Sequence, residues 1–244
     1  MSLSAVETVR CGSCPIRHRA VCARCDTDEL ALLESMKSYR SFKAGEAIVW
    51  RGDSLGFVGS LVEGVAALSK TMEDGRMQMV GLLLPSDFIG RPGRDRIDFD
   101  VTALTDVTLC CFKRQPFETL VESTPHISQR LMELMLDELD AARDWMLLLG
   151  RKTAREKIAT FIQMLVRRAQ LPKFDGAAPP LSLPMNREQI ASYLGLTLET
   201  VSRQLTQFKT EKIVRFVDRR QFEVLDYAAL QDATGDDADG GLIA

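Results

Sequence analysis

Along the chain, the spacing of apolar and polar positions switches between a helical and a strand-like period. From Asp26 it is helical: Leu30, Leu33 and Met36 follow the polar run Asp26-Thr27-Asp28-Glu29, which reads as a capped helix start. From Ser38 to about Leu120, short apolar or alternating runs are broken at Lys43-Ala44-Gly45-Glu46, Arg51-Gly52-Asp53-Ser54, Glu63-Gly64, Glu73-Asp74-Gly75-Arg76 and Pro85-Ser86-Asp87. Evenly spaced short strands with glycine at the corners predict a small β-barrel or jelly roll, with Gly75 closing the clearest hairpin.

Pro116–Thr124 reads as a short helical connector, and Pro125 opens a long helix to about Gly150. Within it Met132, Met135, Leu139, Ala142, Met146 and Leu149 recur at alternating steps of three and four, a heptad seam that predicts pairing with a second copy of the chain. Helical spacing continues through Thr153–Arg168, and Leu171–Pro180, with three prolines and a glycine, predicts a loop. Two short helices around Gly195-Leu196, with Ala191, Leu196, Val201 and Leu205 as inner apolar positions, form a helix-turn-helix. Strands Ile213–Val217 and Gln221–Leu225 around Asp218-Arg219-Arg220 look like a basic wing, and Ala233–Ala244 reads as an acidic, glycine-rich, disordered tail.

Composition adds a class and an asymmetry. With 244 residues, 45% of them hydrophobic and 27% charged, the chain is an ordinary globular one with room for two domains. No apolar run approaches the roughly 18 residues of a membrane span, so a cytoplasmic protein without a membrane segment is expected. The net charge of -3 hides a polarity: residues 151–230 hold fourteen Lys or Arg against eight Asp or Glu, leaving -9 for the rest. A basic carboxyl-terminal part points to a polyanion as partner. The two histidines, His18 and His126, lie in no recognisable acid–base constellation, so an enzyme is not expected.

Four of the six cysteines fall together as Cys11-x2-Cys14-x7-Cys22-x2-Cys25, and the other two are adjacent, Cys110 and Cys111. In a reducing compartment such clusters indicate metal or redox chemistry before disulfides. Between them Gly12, Ser13, Pro15 and Ala20, with Arg17, Arg19 and Arg24, carry almost no apolar content for a core. Four local thiolates could close a tetrahedral zinc site, although the pairs are closer than in common zinc ribbons. Alternatively, three of them with one distant cysteine could hold an iron–sulfur cluster. Composition does not decide between the two.

The order roll, long helix, winged helix-turn-helix, with Gly195-Leu196-Thr197-Leu198-Glu199-Thr200-Val201-Ser202-Arg203, resembles the Crp/Fnr family of bacterial transcription regulators over essentially the whole chain. The Glu-x-x-Ser-Arg pattern of Glu199, Ser202 and Arg203 looks like its FNR and FixK branch, and the cysteine spacing is similar to oxygen-sensing FNR-type members. The resemblance implies an α+β chain: a cysteine-rich cluster-binding segment (1–28), a β-roll sensor domain (29–125), a dimerisation helix (126–150), a winged helix-turn-helix DNA-binding domain (151–232) and the tail (233–244). It further implies a [4Fe–4S] cluster, degraded by oxygen, on Cys11, Cys14, Cys22 and Cys110. Leu104-Thr105-Asp106-Val107-Thr108-Leu109-Cys110 matches the strand that carries the distant ligand, and Cys25 and Cys111 are the neighbours that would shift either register by one ligand. Strand neighbours face opposite sides, so only one of Cys110 and Cys111 can face a cluster. Phe88-Ile89-Gly90-Arg91-Pro92-Gly93-Arg94 lacks the acidic and hydroxyl partners with which the cyclic-AMP branch grips its nucleotide. The implied partners are double-stranded DNA, a second copy of the chain, and RNA polymerase at the Glu73–Arg76 hairpin. A FixK-like or zinc-stabilised regulator without a redox cluster is the alternative.

On the second helix of the motif, positions 199, 202 and 203 share one face, and Val201 and Leu205 turn to the core. Arg203 suits guanine O6 and N7, Glu199 suits cytosine N4, and Ser202 an adjacent A·T step, at a TTGAT-type half-site by resemblance. Thr197 is placed to cap this helix. Arg219 and Arg220, with Lys209 and Lys212, are phosphate candidates that position without specifying.

Overall fold

The computed structural model of the chain describes residues 10–169, 180–218 and 220–236. They form two compact units, Met1–Leu136 and Asp137–Ala244. In the first, helix α1 (Thr27–Met36) starts with the expected capping box: the Asp26 carboxylate accepts the N–H groups of Asp28 and Glu29, and Glu29 reaches back to the Asp26 N–H at 2.9 Å. The expected boundary at residue 28 therefore falls inside its first turn. Eight strands follow, β1 (Ser38–Phe42), β2 (Ala47–Val49), β3 (Phe57–Glu63), β4 (Ala66–Thr71), β5 (Met77–Leu83), β6 (Phe88–Ile89), β7 (Asp100–Ala103) and β8 (Val107–Lys113). They form two antiparallel four-stranded sheets, in the orders β1-β8-β3-β6 and β2-β7-β4-β5. The β4–β5 hairpin turns at Gly75, whose φ of 84° needs a residue without a Cβ.

Strands β3 and β8 are almost continuously buried because both of their faces are covered. One face fills the roll, where Leu61, Leu109 and Cys111 meet Val101 and Val107. The other carries Val58, Val62, Cys110 and Phe112 against Leu33, helix α2 (Arg114–Ser123) and the start of helix α3 (Pro125–Arg151), through Phe117, Ile127 and Leu131.

In the second unit α4 (Ala154–Arg168) is capped by Thr153 and Glu156, and α5 (Arg187–Leu194) by Asn186 and Gln189. Then come α6 (Leu198–Thr210) and the wing strands β10 (Val214–Phe216) and β11 (Gln221–Val224), with β9 (Leu181–Ser182) on the far side of β11. Asp226 caps a last helix, α7 (Tyr227–Asp232), which carries Leu230 and, just beyond it, Thr234 into the core. The tail expected from Ala233 is corrected at its start, since Thr234 is fully buried and the Asp236 carboxylate pairs with Lys152. Residues 237–244 and nearly all of the expected 171–180 loop lie outside the described residues.

Candidate metal centre and nucleic-acid interface

The cysteine segment is a chain of tight turns: a short 3-10 turn at Cys11–Ser13, then Arg17 N–H to the Cys14 carbonyl and Cys25 N–H to that of Cys22. Contrary to the expectation of almost no apolar content, Ile16, Ala20 and Val21 are buried and join the core beneath them, with Leu33 and Phe117. Ile16 and Val21 stand in the sequence as isolated apolar positions among arginines, and three such side chains suffice to seat so short a segment. The Arg130 guanidinium on α3 donates to the carbonyl oxygens of Arg19 and Ala20 at 2.6 and 3.4 Å, and Glu133 receives Arg24 at 2.6 Å. This clamp also escaped the sequence reading, where the i, i+3 pair Arg130 and Glu133 was its only sign.

Cys110 packs on the segment's side of β8 with Cys14 and Cys22 beside it, and Cys111 points into the roll. Gly59 permits this, since a Cβ there would collide with the Cys110 carbonyl as β3 closes on β8. Burial pushes the Cys110 thiol up, and the charges that Cys11, Cys14, Cys22 and Cys111 would carry push it further. Burial, then Cys14 and Cys11, push Cys22 up to about 11. Cys25, only 5% exposed, is pushed to about 12 by burial and then by Cys22. Cys111 is pushed to about 12 by burial, with Arg40 opposing and no other cysteine contributing. Packing separates the adjacent pair, with Cys110 on the face that Cys14, Cys22 and Cys25 share and Cys111 inside the roll. Around them Lys37 Nζ lies 3.7 Å from the Cys11 sulfur, Glu34 accepts the Cys11 N–H at 3.3 Å, and Tyr39 pairs across the sheet with Cys110.

All six thiols are free. Among the described residues, ligand atoms within 4.8 Å of one another occur at Asp26, Glu29 and His126, a capping box with its ion pair to α3. No three sulfurs of the described cysteines all lie within 4.8 Å of one another. A single tetrahedral zinc would hold its sulfurs about 3.8 Å apart, so an all-thiol donor set with wider spacing fits a multi-iron cluster better.

In the second unit Gly195 ends α5 in the left-handed region at φ 62°, and the Thr197 hydroxyl caps α6 by accepting the Thr200 N–H at 3.2 Å. Val201, Leu205 and Phe208 are buried, fixing the rotation of α6 and leaving Glu199 and Arg203 exposed with Ser202 half-buried between them. Arg187 donates to the Ser202 hydroxyl at 3.3 Å, a contact the sequence reading lacked. In the wing, the Asp218 carboxylate accepts the N–H groups of Arg220 and Gln221, both at 2.7 Å, which holds its pKa below the ordinary value. Arg220 is exposed, as are Lys209 and Lys212, and Arg219 lies outside the described residues. On α3, Met132, Met135, Leu139, Ala142 and Met146 are exposed and Leu149 half-buried; Leu136 and Leu147, not anticipated in the seam, extend the exposed apolar row. No helix among the described residues is long and apolar enough to cross a membrane.

The Crp-like helix-turn-helix domain family matches residues 156–233, and the cyclic nucleotide-binding domain family residues 39–124. The chain is 57% identical to the transcriptional activator protein FnrL of Cereibacter sphaeroides over 99% of both chains. It is 40% identical to the nitrogen fixation regulation protein FixK of Bradyrhizobium diazoefficiens, over 85% of this chain and 86% of that one. Among solved structures, FixK2 from Bradyrhizobium japonicum shares 33% identity at a TM-score of 0.74, covering 83% of this chain and 99% of that chain. A CooA mutant from Carboxydothermus hydrogenoformans, at 21% identity, shares the fold with a TM-score of 0.67 over 84% of this chain and 90% of that chain.

Proposed function

Because the chain belongs to the Crp/Fnr family of transcription regulators, we propose that it is an oxygen-responsive member of the FNR type. It is a DNA-binding regulator of transcription, as its relatives are transcriptional activators, and not an enzyme. In our reading it holds a [4Fe–4S] cluster on Cys11, Cys14, Cys22 and Cys110 and, with the cluster intact, binds a TTGAT-type palindrome as a homodimer in the cytoplasm. The observation that carries this reading is that Cys110 packs on the segment's side of the roll, with Cys14 and Cys22 against it, while Cys111 turns away into the roll.

Bound there, a cluster supplies an oxygen-labile tie between the segment and the roll. The chain's own residues carry the consequence. Arg130 and Glu133 fasten the segment to α3, so a segment that loosens also releases the start of the helix whose largely exposed apolar row, Met132 to Leu149, meets its copy. Paired, two α6 helices present Glu199, Ser202 and Arg203 to two half-sites, with Thr197 holding the helix start and Arg219 and Arg220 on phosphates. One half-site alone binds too weakly, so loss of pairing ends occupancy. The Glu73–Arg76 hairpin is the surface offered to RNA polymerase.

Gel-shift titration of a palindromic site with anaerobic protein, before and after exposure to air, tests the proposal. Tight dimeric binding that air abolishes is expected. Equal affinity in both states would instead make the protein a FixK-like or zinc-stabilised regulator.

A further inference from the structure

The face beneath the cysteine segment contains one polar group that the packing there does not explain. Ser60 on β3 is 2% exposed, and its hydroxyl oxygen is buried without a hydrogen-bond partner. Its partners across the sheet are Cys110 on β8 and Phe88 on β6. Directly opposed residues of antiparallel strands project to the same face, with Cβ atoms about 4.5–5.5 Å apart. Ser60 therefore shares the face of Val58, Val62, Cys110 and Phe112, and Tyr39 flanks Cys110 from the other side.

A hydroxyl in such surroundings destabilises the fold unless it finds an acceptor, and an apolar residue of similar size would serve the packing better. A thiol sulfur is a weak acceptor, whereas an iron-bound thiolate carries charge and accepts strongly. We propose that Ser60 tunes the cluster, its hydroxyl donating a hydrogen bond to the Cys110 thiolate when that thiolate holds iron. The inference rests on the reading of Cys110 as a cluster ligand. Hydrogen bonds to cluster sulfurs help set the reduction potential. A donor at Cys110 favours the electron-richer state, raising the potential and slowing the loss of the cluster in air.

The test uses the full chain, purified anaerobically, in two comparisons: Ser60→Ala against the wild type, and Ser60→Thr against its isostere Ser60→Val. The second comparison keeps the branched shape constant and changes only the hydroxyl. Midpoint potential, the rate of cluster loss in air, iron and sulfide content, and the melting temperature of the cluster-free protein are measured. With iron and sulfide fully retained, the potential falls in Ser60→Ala and Ser60→Val, and their clusters decay about three- to tenfold faster than those of the hydroxyl-bearing partners. The cluster-free Ser60→Ala protein melts no lower than the wild type. Potentials and decay rates that ignore the hydroxyl in both comparisons overturn the inference, as does equal destabilisation of cluster-free and loaded Ser60→Ala. A wild type without iron and sulfide overturns the cluster reading itself, and this inference with it; a loaded wild type whose cluster ignores Ser60 overturns the Ser60 inference alone.

Discussion

The DNA-reading domain supplies the means of its own closure, whereas the cysteine segment draws on its neighbours. Around the helix-turn-helix, Asn186 and Gln189 cap α5, Gly195 turns the corner and Thr197 caps α6. Ile190, Leu194, Val201, Phe208 and Phe222 are each fully buried within the same unit. The cysteine segment has single turns where the reader has helices, and three buried apolar side chains, Ile16, Ala20 and Val21. Its other attachments, Arg130, Glu133 and Glu34, belong to the helices beside it. On the function proposed above, the reader would stand with or without a cluster, and the segment would hold its place only with one. A switch needs one element whose order is cheap to lose, with the output kept apart from it.

That contrast breaks first at the core of the reader. Phe208→Ala should lower stability by about 3–5 kcal/mol and by the same amount in anaerobic and air-exposed protein, as read by chemical denaturation. A cost that differed between the two states would tie the reader's core to the sensor. Next comes the face that neither core covers. Leu139→Glu should weaken dimerisation on the order of 3 kcal/mol, because each introduced carboxylate meets its copy, while iron content stays intact. Anaerobic sedimentation reports it, and an unchanged dimer would remove α3 from the interface.

The clamp sharpens the comparison. Arg130→Ala removes two charged hydrogen bonds to backbone carbonyls, each worth about 1.5–3 kcal/mol. Since Arg130 ligates nothing, anaerobic DNA binding should weaken with iron retained; full affinity would mean that the segment does not speak to α3. The smallest effect is at one base. Arg203→Ala should cost about 1–3 kcal/mol per half-site and flatten preference at one G·C position. Arg220→Ala should weaken all sequences alike and make the salt slope shallower by about one. A half-site library at two salt concentrations separates them, and uniform weakening by Arg203→Ala would make it a phosphate clamp.

The same contrast governs which features are legible in the amino-acid sequence. In the reader, Gly195, Thr197 and the spacing of Val201 and Leu205 are local signals, and each meets its structural counterpart where expected. In the roll, turn residues mark the strand ends, but the run Leu109-Cys110-Cys111-Phe112 is apolar throughout and has no readable period, because both faces are buried. That Cys110 takes the outer face follows from pairing with Ser60 and Tyr39, a long-range fact invisible in one strand. The Arg130 clamp joins residues 110 and 111 positions apart, and the buried Ser60 hydroxyl emerges only when its neighbours are known. The start of the tail was misjudged because acidic and glycine-rich composition hid the packing of Thr234 and the Lys152–Asp236 pair.

In the function proposed above, four particular thiols, and not their adjacent twins, hold the sensing group. Iron and acid-labile sulfide per chain, measured on anaerobically purified wild type and on the six single Cys→Ser variants, test it most directly. About four of each are expected in the wild type, Cys25→Ser and Cys111→Ser, with the last two less stable by about 1–3 kcal/mol for burying a hydroxyl among apolar neighbours. Loss is expected in Cys11→Ser, Cys14→Ser, Cys22→Ser and Cys110→Ser. Zinc in place of iron in the wild type, or full iron in Cys110→Ser with loss in Cys111→Ser, would contradict it.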